Sequence, residues 1–113
     1  MRSVEHQVQV AICNYLDLRG FCYWAVPNGE KRNIITAKKL KAEGVKAGVP
    51  DITLIYDGLY YGIEIKKPKT DTPQGYLSQN QKDRIRKIKK AGGEIGIARS
   101  VQDVIELLIE WKI

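Results

Sequence analysis

The stretch "GVPDITLIYDGLYYGIEIKK", Gly48 to Lys67, holds two acids and a lysine whose spacing could do chemistry. Asp57-Gly58 favours a two-residue type I′ turn between two strands. With that turn Tyr56 faces Leu59 and, counting away from it, Asp51 faces Glu64. Directly opposed Cβ atoms stand about 4.5–5.5 Å apart, so the two carboxylates repel. A divalent cation removes the penalty. Oxygen ligands suit Mg²⁺ or Mn²⁺, and the absence of a His or Cys cluster argues against zinc. Lys66 follows Glu64 by two residues and so shares its face. It could orient or deprotonate an attacking water, or stabilise charge on a phosphate in transfer. The alternative is a solvent-exposed hairpin edge with ordinary surface charges, or a bulged turn that shifts the register.

The elements around the hairpin must position these groups. One hairpin face carries Asp51, Thr53, Ile55, Tyr60, Gly62, Glu64 and Lys66. The other, Ile52, Leu54, Tyr56, Leu59, Tyr61, Ile63 and Ile65, is the core. Ser3 can cap a helix running to about Leu18, with Gly20 as its stop. "FCYWAV", Phe21 to Val26, predicts a buried strand ended by "PNG". A helix over 33–43 ends at Gly44. The strands Asp51 to Tyr56 and Leu59 to Lys66 follow, then a polar loop. Ser78 opens a helix to about Ala91, Glu94 to Ala98 is the fourth strand, and Ser100 caps a helix to about Trp111. The order is α-β-α-β-β-α-β-α.

In the first helix Val4, Val8, Ala11, Ile12, Tyr15, Leu16 and Leu18 fill an apolar arc of about 160°. Glu5 falls inside it, between Ile12 and Leu16. An acid in a core stripe is costly without a cation to meet. Equally, a first-turn glutamate favours the helix dipole or snorkels outward. His6 lies off the stripe and reads as a surface residue without a catalytic role.

The chain of 113 residues predicts one domain, 1–113, of ordinary globular composition, 43% hydrophobic and 28% charged. Nineteen Lys and Arg against thirteen Asp and Glu give +6, which favours a polyanionic partner. The cations cluster at Lys31, Arg32, Lys38, Lys39, Lys41 and Lys46, and again at Lys82, Arg84, Arg86, Lys87, Lys89 and Lys90. A solvated helix face explains such runs as well. Cys13 and Cys22 lack metal-ligand or disulfide spacing and read as reduced, buried and inert. No secretory segment and no apolar run of about 18 residues is visible, so a cytoplasmic protein without a membrane span is expected.

Five features in order, Glu5, "PNG" at Pro27 to Gly29, "GVKAGVPDITL" from Gly44, "EIKK" from Glu64 and "SQNQ" at Ser78 to Gln81, resemble the VRR-NUC family of the PD-(D/E)xK nuclease superfamily. The resemblance spans nearly the whole chain. It implies an α/β, restriction-endonuclease-like mixed sheet flanked by helices, and a Mg²⁺- or Mn²⁺-dependent phosphodiesterase acting on DNA. Carried over, Glu5, Asp51 and Glu64 are metal-site acids, the Ile65 carbonyl is a further ligand, and Lys66 is the catalytic lysine. Gln81 takes the family's glutamine position with Ser78 as its motif partner, although the two also satisfy a helix capping box. The "PNG" turn and Gly48 would shape the site rim, where a side chain would obstruct the phosphate, and a plain turn explains both glycines equally well. Lys31, Arg32, Lys46, Lys67 and Lys69 would hold the DNA backbone.

Stand-alone family members of the virus type resemble dimeric resolvases of four-way (Holliday) junctions. This implies a homodimer acting on branched DNA in a phage-infected or prokaryotic cell. The alternatives are a nuclease on other DNA or on RNA, nicking or restriction-like, and a catalytically silent nucleic-acid-binding module.

Overall fold

The computed structural model describes residues 4–28, 33–68 and 76–113. Helix α1 spans Val4–Arg19, strand β1 Cys22–Ala25, α2 Ile34–Ala42, β2 Ile52–Tyr56, β3 Leu59–Ile65, α3 Gln79–Lys90, β4 Glu94–Ala98 and α4 Val101–Trp111. The order and nearly every boundary match the sequence reading. The expected Ser3 cap lies outside the described residues. Local chemistry sets the other ends. Asn33, Ser78 and Ser100 each accept a backbone N–H of the first turn of α2, α3 and α4.

The strands form one mixed sheet in the order β1-β2-β3-β4. β1 pairs with β2 and β2 with β3 antiparallel, while β3 and β4 run parallel. The β2–β3 register is the one the sequence predicts, with Tyr56 opposite Leu59 and Ile52 opposite Ile63. Asp57 at φ 52° and Gly58 at φ 76° make the turn, both in the left-handed region a type I′ turn requires. The parallel β3–β4 pair needs a crossover, which α3 supplies. The arrangement is the expected mixed α/β, restriction-endonuclease-like fold.

One sheet face builds the core. Ile52, Leu54, Ile63 and Ile65 are fully buried there against Ile12 and Leu16 of α1 and Val104 and Leu108 of α4. The other face, which holds the acids and the lysine, is covered too. Glu64 is 3% exposed and Lys66 9% exposed, because the start of α3 lies over them. A solvent-exposed hairpin edge is thereby excluded. At the turn end the covering helices run out, so Tyr56 and Leu59, expected in the core, are exposed.

Three further expectations are corrected. β1 is not buried: it is an edge strand that, unlike the other edge strand β4, is not covered by α3 and α4. Only Tyr23 turns inward, reaching Asp17 of α1 with its hydroxyl at 2.7 Å, while Cys22 and Trp24 face solvent. The cysteines are free as expected, but Cys22 is exposed and Cys13 half-buried, and burial raises the Cys13 thiol above its ordinary pKa. The buried arc of α1 is also rotated from its apolar stripe. Val4, Ala11 and Leu18 are exposed, and Glu5, Gln9 and Cys13 take part of the packed side instead. At 100° per residue, Glu5 falls near the centre of that arc.

Ile63→Ala should therefore cost about 2–5 kcal/mol in urea denaturation. Leu18→Ala, at a position 84% exposed, should stay within about 0.5 kcal/mol. An equal loss at both positions would contradict the rotated arc.

Candidate active site

The site lies where β3 ends, and its framework is backbone. Asp51 precedes β2 by one residue, at the position that continues the ladder opposite Glu64. Its carbonyl accepts Val26 N–H at 2.7 Å, tying it to the exit of β1. Its Oδ2 accepts Ile65 N–H at 2.8 Å, and its Oδ1 lies 3.3 Å from the donating Asn28 Nδ2. Asn28 also donates to the Val49 carbonyl at 2.8 Å, which ties the "PNG" turn to the approach to β2. Lys66 N–H donates to the Ala98 carbonyl at 3.0 Å, carrying the parallel β3–β4 pairing past Glu64.

Glu64 and Lys66 meet through Gln81. Its Nε2 donates to Glu64 Oε2 at 2.9 Å, and its Oε1 accepts from Lys66 Nζ at 3.1 Å. Lys66 Nζ and Glu64 Oε2 are 4.0 Å apart. The same Oε1 accepts Ser78 N–H at 2.9 Å, and Ser78 Oγ accepts Gln81 N–H at 3.2 Å. Gln81 therefore closes the capping box of α3 and also reaches Glu64 and Lys66. The capping box holds its amide in one orientation, and that amide joins the acid to the lysine.

Electrostatics point the same way. Burial, and next the charge of Asp51, push the Glu64 carboxyl up to about 9, with Lys66 opposing and Glu5 adding a little. Two adjacent acids, one buried, hold a proton where cation charge is lacking.

Asp51, Glu64, Lys66, Gln81 and Glu5 line one cavity of about 580 Å³ together with His6, Gln9, Asn28 and Lys67. Glu5 reaches it because the first turn of α1 arrives at the end of β3. Among the described residues, however, no three His, Cys, Asp or Glu side chains close on one point as a complete metal centre. The close pair is Asp51 with Glu64, and Glu5 stands on the cavity wall. Ile65 lies at the end of β3 with its N–H occupied by Asp51.

Of the expected DNA contacts, Lys67 lines the cavity and its carbonyl accepts from Arg99 Nη1 at 2.7 Å, whereas Lys46 is exposed outside it. Lys31, Arg32 and Lys69 lie outside the described residues, as does Gly29 of the "PNG" turn. His6, read as a plain surface residue, is exposed at the cavity rim. Gln9 was not singled out, although its place one helical turn beyond Glu5 puts it on the same face.

The expected reason for Gly48 is corrected. A Cβ there would not point at a phosphate; it would stand 2.5 Å from the Asn80 carbonyl carbon and 2.9 Å from Gln81 N. With φ at +77°, Gly48 is what lets the first turn of α3 close onto the sheet.

Comparison with solved structures places the chain among known folds. A structure titled "VRR_NUC domain protein" matches with a TM-score of 0.72 and 25% identity, over 98% of this chain and 89% of that one. Another, "VRR_NUC domain", matches with a TM-score of 0.65 and 21% identity, over 96% and 97%. No family model and no curated protein matched the sequence. The whole-chain structural likeness supports the resemblance read from the five motifs.

Two outcomes follow from this geometry. A carboxyl raised in the folded state stabilises fully below its unfolded pKa, and that stability is lost as pH rises through the folded value. In EDTA the melting temperature should therefore fall between about pH 5 and the folded value near 9. Glu64→Gln should flatten this slope, and Mg²⁺ should restore stability at the alkaline end. Gly48→Ala should cost about 1–3 kcal/mol and speed amide exchange at 80–82 while sparing Ile63. Unchanged exchange at 80–82 would contradict the close approach.

Proposed function

We propose that this chain, a VRR-NUC nuclease domain by motif and fold, is a divalent-metal-dependent DNA endonuclease that acts on structure rather than sequence. We infer that it resolves four-way junctions as a homodimer, in a phage-infected or prokaryotic cell. One observation carries the reading: Asp51 and Glu64 are held together at the end of β3 with a buried lysine beside them and Gln81 joining Glu64 to Lys66. A binding module gains nothing from placing buried acids near phosphate.

The donor set fits a hard divalent cation. Its oxygens are carboxylates, and the raised Glu64 carboxyl is a group that a cation would return to its ionised form. Asp51 and Glu64 would hold Mg²⁺ or Mn²⁺, with Glu5 and the Ile65 carbonyl completing the set. Such an ion, when bound, polarises a phosphoryl oxygen and favours ionised water. The chain's own residues do the positioning. Ile65 N–H and Asn28 hold Asp51 at both oxygens. Gln81 fixes Glu64 Oε2 and keeps the Lys66 ammonium in the cavity wall, where it stabilises charge on the phosphate or orients the water. Lys67, with Lys31, Arg32, Lys46 and Lys69, would hold the backbone on either side.

A homodimer would present two sites about a two-fold axis, which suits paired cuts in a two-fold junction. Exposed Leu18, Trp24, Ile34 and Ile35 offer apolar surface for it.

Purified protein with four-way junction, splayed and linear duplex DNA in Mg²⁺, Mn²⁺ or EDTA tests the reading. Symmetric, metal-dependent junction cuts are expected, and Asp51→Asn should abolish them with the fold intact. Lys66→Ala should lower kcat about 10²-fold or more while Mn²⁺ still binds; undiminished cutting would remove Lys66 from the mechanism. Equal cutting of linear duplex would make the enzyme restriction-like. Binding without cutting under every metal would make it a recognition module.

A further inference from the structure

Helix α3 carries six Lys or Arg among its twelve residues and a single acid, Asp83. That surplus of five nearly equals the +6 of the whole chain. At 100° per residue, Lys82, Arg86, Lys89 and Lys90 fall within an arc of about 100°, and all four are exposed. Gln81, Arg84, Ile85 and Ile88 take the half-buried side, where Arg84 Nε reaches the Ala47 carbonyl at 3.4 Å. Arg86 pairs with Asp83; among the described residues Lys82, Lys89 and Lys90 make no ion pair.

Stability of the helix does not account for this stripe. Basic residues in the last turn suit the helix dipole, but Lys82 sits near the N-terminal end, where a cation opposes it. Lys82, Arg86, Lys89 and Lys90 are like-charged neighbours at three- and four-residue spacing, which destabilises a helix unless an anion lies against them. Their position supplies the anion. Gln81, the residue before Lys82, touches Glu64 and Lys66, so the stripe begins at the cavity wall. It then runs about 12 Å along the axis to Lys90. That span is comparable to the major-groove width of about 12 Å in B-DNA, so one stripe can meet phosphates of both strands.

We propose that the exposed basic face of α3 is a second DNA contact surface, which holds the phosphates of a duplex arm next to the bond being cut. The proposal rests on the nuclease reading for its substrate and adds a place where affinity, rather than chemistry, is generated. α3 thus has two ends of work: its capped N-terminus orients Gln81 in the site, and its outer face anchors the arm.

The test separates the two. Fluorescence anisotropy of the whole protein, in EDTA between about 50 and 200 mM salt, measures the dependence of log affinity on log salt. Each phosphate contact contributes a slope of about 0.9 for duplex DNA. K82Q/R86Q/K89Q/K90Q should lower that slope by about 3–4 on a 30-base-pair duplex and weaken binding at least tenfold, with an unchanged melting temperature. In the cleavage assay the same variant should raise KM and leave kcat at saturating DNA unaltered. K82R/K89R/K90R, which keeps the charge, should bind as wild type. An unchanged slope in the folded glutamine variant would overturn the proposal. So would a loss just as large on single-stranded DNA, which has no arm to straddle. If wild-type protein binds duplex with this slope but never cuts, the nuclease reading fails while the surface stands.

Discussion

The structure turns on one electrostatic constraint: two carboxyls, Asp51 and Glu64, placed together where one of them is almost sealed from water. Burial alone disfavours the charged form of Glu64, and Asp51 adds a like charge, so the pair holds a proton that a cation would displace. Nearby groups compensate without removing the conflict. Lys66 stands 4.0 Å from Glu64, Gln81 donates to it, and Ile65 N–H and Asn28 donate to Asp51. A site built for stability alone would replace such a pair with apolar residues. Retaining it makes chemical sense where positive charge and a phosphate are to be brought together.

The fold serves that constraint from three directions. The antiparallel β2–β3 hairpin sets the acids opposite each other through a turn of two left-handed residues. The parallel β3–β4 pair continues to Lys66 and fixes the strand end. The crossover helix α3 then lands on the acid-bearing face, and it can approach so closely only because Gly48 has no side chain. Ser78 makes the landing specific, since its capping bonds also orient the Gln81 amide. A hydrogen-bond pattern usually spent on a helix end thus reaches the centre of the site.

Much of this is legible in the sequence. Asp57-Gly58 set the register and therefore the facing acids, and the starts of α3 and α4 were visible at Ser78 and Ser100. What escaped were the features that depend on which faces the layers cover. "FCYWAV" has the composition of an inner strand, yet it lies at the sheet edge that α3 and α4 leave uncovered, with Cys22 and Trp24 in solvent. Leu18 belongs to the apolar stripe of α1, but α1 rolls so that Glu5 and Gln9 turn toward the cavity while Leu18 is exposed. Composition gives a stripe; only packing gives its rotation. Gly48 was noticed for the wrong neighbour, because its partner Asn80 is far along the chain. Asn28 was quoted as part of a turn, and its bond to Asp51 needed the loop's path to be seen.

The proposal that Asp51 and Glu64 are held together to share a divalent cation is open to direct observation. Crystals soaked in Mn²⁺ and measured at the manganese edge test it most directly. An anomalous peak is expected within about 2.5 Å of oxygens from both Asp51 and Glu64, lost in Asp51→Asn crystals. A peak elsewhere, or none beside these two carboxylates at millimolar Mn²⁺, would contradict it.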